Sequence, residues 1–133
     1  MMNPMQRLAE SDKPKRKSWV YRWEPKAGPC PWLIRCAREP WVKNGVEHKG
    51  MSQHRLADLI GLSPTSGMIC LIESYRLPVT DYRLGLISAA LNCNPGDLCA
   101  KTAQEAADNH ALYLRWVADG KPDLRGWIRA LER

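Results

Sequence analysis

Residues 51 to 76, MSQHRLADLIGLSPTSGMICLIESYR, constrain this chain more than any other stretch. Ser52 is a residue type that caps helix starts, and the following QHRLADLI places Leu56, Leu59 and Ile60 on one face. Gly61 then ends that helix in the left-handed backbone region that glycine enters most cheaply. Past Leu62 and Ser63, PTSGMICLIES spaces Ile69 and Ile72 for burial, with Met68 and Leu71 alongside. Two helices this short cannot bury their apolar faces alone. They must pack on each other and on further helices, which commits the chain to a small helical core.

The flanking sequence supplies those helices. Pro31 suits a first helical position, and Leu33, Ile34 and Ala37 share a face before the chain ends or kinks near Pro40. Residues 41 to 50, WVKNGVEHKG, carry an Asn-Gly turn signal and read as an exposed connection that keeps a helical turn at its start. Pro78 stops the helix before it. Residues 81 to 92 bury Leu84, Ile87 and Leu91. Asn94-Pro95-Gly96-Asp97-Leu98 reads as a cap, a first helical position and the start of a fifth helix. Two more helices follow, one over residues 103 to 119 with Gly120 as its cap. The last opens at Pro122 and buries Leu124, Trp127, Ile128 and Leu131. The fold class expected is all-α.

Charge divides unevenly. Of the formal +6, residues 1 to 50 hold 11 Lys/Arg against 5 Asp/Glu, residues 51 to 99 hold 3 against 4, and residues 100 to 133 hold 6 against 5. An anionic partner would therefore be met by the first third of the chain. Within it, residues 1 to 18 have little periodicity and end in Lys13, Lys15, Arg16 and Lys17, an arm that serves either as a solubilising tail or as a nucleic-acid contact. Trp19, Tyr21 and Trp23 alternate with Val20 and Arg22, as in a short extended segment that packs aromatics on the body. The expected organisation is a flexible basic arm over 1 to 18, a helical core with its aromatic lead-in over 19 to 99, and a helical extension over 100 to 133.

Ser52-Gln53, Leu56-Ala57, Gly61-Leu62-Ser63, Ile69, Ile72-Glu73, Pro78 and Asn94-Pro95-Gly96-Asp97-Leu98 together resemble the Cro/CI-type, lambda-repressor-like helix-turn-helix family over residues 50 to 99. Ala57 is small where the two helices cross, and the isoleucines anchor the second helix. One departure stands out: Ile69 comes six positions after Ser63, where such domains usually need four. Either residues 64 to 67 loop out before a shortened helix, or the helix gains half a turn. Gly67 favours the loop.

The resemblance implies a sequence-specific regulator of transcription that binds double-stranded DNA, with its second helix in the major groove. It looks like a phage immunity repressor or a Cro-like protein acting in the cytoplasm of a bacterial host cell. Mapped onto this chain, Gln53 would bond a phosphate or a base, Ser63, Thr65 and Ser66 would lie nearest base edges, and Arg76 would meet the backbone. No Lys or Arg falls between residues 63 and 74, so phosphate neutralisation falls to Lys13, Lys15, Arg16 and Lys17, with Lys43, Lys49 and Arg55 flanking the first helix. The C-terminal helices suit a homodimer contact. The competing reading is a protein-interaction module of antitoxin or anti-activator kind on the same scaffold.

Other chemistries find little support. No phosphate-binding glycine loop, nucleophile elbow or His/carboxylate cluster on one helical face is present, so an enzyme is not expected. Cys30, Cys36, His48 and His54 follow a Cys2His2 order, but with 5, 11 and 5 intervening residues against the two to four that zinc fingers prefer between cysteines. Neither a metal nor any other cofactor is expected. Five cysteines in no framework spacing read as buried thiols of an intracellular protein, with Cys70 and Cys93 beside apolar residues. His110 is expected at the surface. No apolar run approaches the roughly 20 residues that span a bilayer, and no secretion signal opens the chain.

Overall fold

Pro31 begins α1 (Pro31–Arg38), and Glu39, ahead of Pro40, ends it in an extended conformation, as a residue before proline prefers. The structure is a computed structural model that describes residues 21–39, 41–43, 46–48 and 50–132, with the backbone alone over 41–48. The basic arm, Trp19 and Lys49 lie outside the described residues, as do the side chains of Lys43 and His48. The protein is mostly helical, and no helix among the described residues is long and apolar enough to cross a membrane.

After α1 the sequence expectation of a helical turn fails. Trp41–Lys43 (β2) pairs antiparallel with Val46–His48 (β3), Lys43 opposite Val46. The two residues between them are Asn44 and Gly45, the strongest short hairpin signal, and the Trp, Val and Val beside them favour strand over helix.

Ser52 caps α2 (Gln53–Leu59), its hydroxyl accepting from the Arg55 N–H at 3.0 Å. Gly61 turns the chain at φ +83°. The next helix, α3, is only Met68–Glu73. Residues 64 to 67 form a loop, so the two extra residues lengthen the turn. Gly67 enters α3 at φ +75°, a left-handed conformation that glycine alone adopts without steric penalty.

Thr80 caps α4 (Asp81–Ala90) through a bond from the Arg83 N–H. The fifth helix expected after Asn94 is a single 3-10 turn, Pro95–Leu98, closed by the Asp97 carboxylate accepting from the Asn94 N–H at 3.1 Å. It cannot lengthen, because Cys99–Ala100 (β4) at once pairs antiparallel with Gly28–Pro29 (β1). Thr102 caps α5 (Ala103–Ala118). The last helix, α6 (Leu124–Leu131), starts two residues later than Pro122, because Asp123 is its cap and accepts from the Gly126 N–H at 2.9 Å.

Two apolar cores share α1. Ile34 faces the first, with Leu56, Ala57, Ile60, Ile69, Ile72, Leu84, Ile87 and Leu98. The opposite side of α1 presents Trp32, with Leu33 and Cys36 packed alongside, to Tyr113 and Trp116 of α5 and to Leu124 of α6. The last two helices thus do not stand apart as a tail; they cover a face of α1 that would otherwise be wet. Trp116 donates its indole N–H to the Pro122 carbonyl at 2.9 Å, and Trp127 donates its own to Asp119 at 2.8 Å. Two leucines expected inside are partly out: Leu59 is 46% and Leu131 is 36% exposed. On α2 the buried stripe runs Leu56, Ala57, Ile60, which leaves Leu59 at its edge.

Tyr75 joins the cores. It follows α3 at φ +65°, in the position where a helix end usually takes glycine. The Arg76 N–H bonds the Leu71 carbonyl at 2.8 Å and the Tyr75 N–H bonds that of Ile72 at 3.2 Å, the paired bonds of a Schellman end. A tyrosine there costs of order 1 kcal/mol in backbone strain. Burial offsets it: the ring lies 4.9 Å from Trp23, 4.5 Å from His110 and 4.9 Å from Tyr113, and its hydroxyl accepts the Trp32 N–H at 3.3 Å. His110 is accordingly half-buried between Trp23 and Tyr75, not at the surface.

Candidate nucleic-acid interface

A buried ion cluster fixes α3 against α1 and α2. Glu73 is fully buried, and its carboxylate takes Arg38 Nε at 2.6 Å on one oxygen and Arg38 Nη2 at 2.8 Å on the other. Gln53 Nε2 donates to the same carboxylate at 2.9 Å, and Arg35 Nη2 lies 3.5 Å away. The fork-on-fork geometry leaves Arg38 Nη1 for the Met51 carbonyl at 2.8 Å. Arg35 lays its guanidinium over the Trp116 ring at 4.7 Å, tying the second core to the same cluster.

Gln53 is therefore tied to Glu73 by one amide hydrogen at the start of α2. Its half-buried side chain lines a shallow depression between α2 and α3 with His54, Pro64, Gly67, Met68 and Cys70. Sequence reasoning missed Glu73, Arg38 and Arg35 as the mount of this surface. The one available signal was a glutamate directly after the buried Ile72, since a carboxylate at the edge of an apolar stripe requires a partner.

The hydroxyl residues expected at base edges are gathered in the loop and exposed. Ser63 and Thr65 share a bond at 3.1 Å, and Ser66 Oγ accepts the Met68 N–H at 3.2 Å, so its own proton is directed elsewhere. Ser74 does the reverse, donating to the Cys70 carbonyl at 2.8 Å, which leaves its oxygen as an acceptor. A loop of this kind can offer both donors and acceptors to a base edge without any charge.

Cations flank the surface. Arg55 is 62% exposed and only 3.8 Å from the equally exposed Asp58, a pairing worth little in water, so its guanidinium can turn to a phosphate at small cost. Arg76 is exposed at the other end of α3. Trp23 packs edge-on against Tyr75, two residues past α3, and so brings the start of the described chain beside the same helix.

On α3 itself Ile69, Ile72 and Glu73 are buried, while Met68 and Leu71, expected alongside the isoleucines, lie outside both cores. At 100° per residue they turn away from the buried side with Cys70, but both are half-buried. Cys70 is exposed, against the expectation of a buried thiol; Cys30 is buried, and burial pushes the Cys36 thiol up to about 12. Among the described residues no group of three or more His, Cys, Asp or Glu is arranged to hold a metal ion.

Compared with known protein families, curated proteins and solved structures, the chain matches none.

Proposed function

We propose that this protein is a sequence-specific DNA-binding regulator of transcription, with α3 and the loop before it entering the major groove as in Cro/CI-type helix-turn-helix proteins. The observation that carries this reading is the tie of Gln53, Glu73 and Arg38. It locks α2 and α3 into one rigid unit whose outward edge is an exposed, uncharged row of hydroxyls. Recognition needs such rigidity, because a base contact misplaced by an ångström is lost. A phage immunity repressor or Cro-like protein is the regulator proposed, and the exposed Leu114 and Leu131 on α5 and α6 offer the place for a second copy.

The phosphates fall to the flanks. Trp23 lies against Tyr75 just past α3, and six residues separate it in sequence from Lys17, a span of at most about 20 Å, so Lys13, Lys15, Arg16 and Lys17 are the cations proposed for the adjoining backbone or minor groove. Arg55, Arg76 and Lys49 complete the set.

One observation favours the second reading, a protein-interaction module of antitoxin or anti-activator kind: no cation occurs between residues 63 and 74, while Leu59 and Tyr82 are 46% and 77% exposed. Selection of a randomised duplex pool by the full chain at two salt concentrations separates the two. A regulator enriches one motif, and neutralising all four arm cations lowers the dependence of log affinity on log salt by about 3 to 4. An adaptor enriches nothing at low salt.

A further inference from the structure

From the outward face of α3 we infer that this protein reads thymine by its 5-methyl group, with Leu71 as the contacting side chain and Met68 and Cys70 on its flanks. The inference rests on the DNA-binding reading and adds the chemistry of recognition to it. Ile69, Ile72 and Glu73 mark the buried side of the helix. Turning 100° per residue, the direction opposite them is occupied by Gly67, Leu71 and Ser74. Gly67 has no side chain, and Ser74 spends its proton on the Cys70 carbonyl. Leu71, half-buried, is therefore the side chain directed most nearly away from the mount.

Neither core accounts for its apolarity: Met68 and Leu71 are half-buried and Cys70 is exposed, and none of the three belongs to either core. An aliphatic side chain offers no donor or acceptor to a base. The one apolar group on the edges of the four base pairs is the thymine methyl, and it projects into the major groove, which is wide enough to admit a helix. The surface suits that occupant better than a protein. Three side chains on a helix of six residues, about 9 Å long, fall far short of the roughly 800 Å² that each partner contributes to a stable protein interface. The rim is also of the kind that nucleic acid requires: hydroxyls at Ser63, Thr65 and Ser66, and the exposed guanidiniums of Arg55 and Arg76 beyond them.

The test begins with the duplex selected by the full chain. Each thymine is replaced singly by uracil, which removes the methyl and preserves every hydrogen-bonding group, and affinity is measured for the native protein and for Leu71→Ala. The native protein should lose roughly fourfold at one or two thymines, the ratio that about 0.8 kcal/mol of methyl burial corresponds to. Leu71→Ala should bind the thymine and uracil duplexes alike at those positions, with a melting temperature close to the native protein's, because the half-buried residue belongs to neither core. A selected duplex that tolerates uracil everywhere overturns the methyl contact and leaves sequence-specific binding standing. A uracil penalty that persists undiminished in Leu71→Ala overturns the assignment to this face. If no duplex is selected at low salt, the DNA-binding reading fails and takes this inference with it.

Discussion

Replacing Glu73 with alanine should unfold the mount of α3 from within. The change leaves Arg35, 8% exposed, with no counter-ion and Arg38, 7% exposed, with only Glu39 at 3.7 Å, and strips the Gln53 amide of its acceptor. Removing one partner of a buried ion pair typically costs about 3 to 5 kcal/mol, because the remaining charge stays desolvated. Against a total stability of roughly 5 to 15 kcal/mol for a domain, that is a large fraction. At about 3 to 5 °C per kcal/mol, intermediate between the shifts of smaller and larger domains, the melting temperature should fall by roughly 10 to 20 °C. Urea unfolding followed by tryptophan fluorescence reads the same loss as a lower midpoint at constant slope. Arg38→Met should cost less than Glu73→Ala, since Glu73 keeps Arg35 and Gln53. The double variant Arg38→Met, Glu73→Met should recover part of the loss. A Glu73→Ala protein that melts within about 2 °C of the native one would refute the claim that this carboxylate neutralises buried charge.

Three further outcomes follow from the same packing. Tyr75→Phe should lower stability by about 1 kcal/mol through loss of the bond from the Trp32 N–H, whereas Tyr75→Ala, which keeps the strained φ of +65° and empties the aromatic cluster, should cost about 3 to 5, both measured by urea unfolding. Burial holds the His110 imidazole below its ordinary 6.5, so the folded protein resists its protonation. Its contribution to stability is full above pH 6.5 and is lost as pH falls through the lower folded value; His110→Gln should flatten that part of a melting-temperature profile. Finally, brief alkylation of the native protein at pH 8 should modify Cys70 and spare Cys30 and Cys36, read by peptide mass mapping, with the last two reacting only in urea.

Where local chemistry decided, the structure agrees with what the residues imply. Ser52, Thr80 and Thr102 cap helices because a hydroxyl there satisfies an otherwise unpaired N–H, and Gly61 and Gly67 take positive φ because other residues resist it. The loop before α3 was one of two outcomes that the spacing from Ser63 to Ile69 left open, and the glycine inside it favoured the one observed. At the candidate site the loop hydroxyls were legible as exposed polar residues. The tie of Gln53 to Glu73 was not, because it depends on where Glu73 comes to lie.

By itself the sequence determined most of the helices and the residues that cap them, since these follow from neighbours within about four residues, and it showed that the positive charge gathers in the first third; it did not tell the strand at Trp41–Lys43 or the short 3-10 turn at Pro95–Leu98 from helix. Only the tertiary structure decided that α1 carries two cores, that Glu73 meets Arg38 across 35 positions, and that Tyr75 and His110, 35 positions apart, share one aromatic cluster with Trp23. The physical reason is that a buried charge or a strained backbone is tolerated only when distant groups close around it. No local pattern records which distant groups those will be.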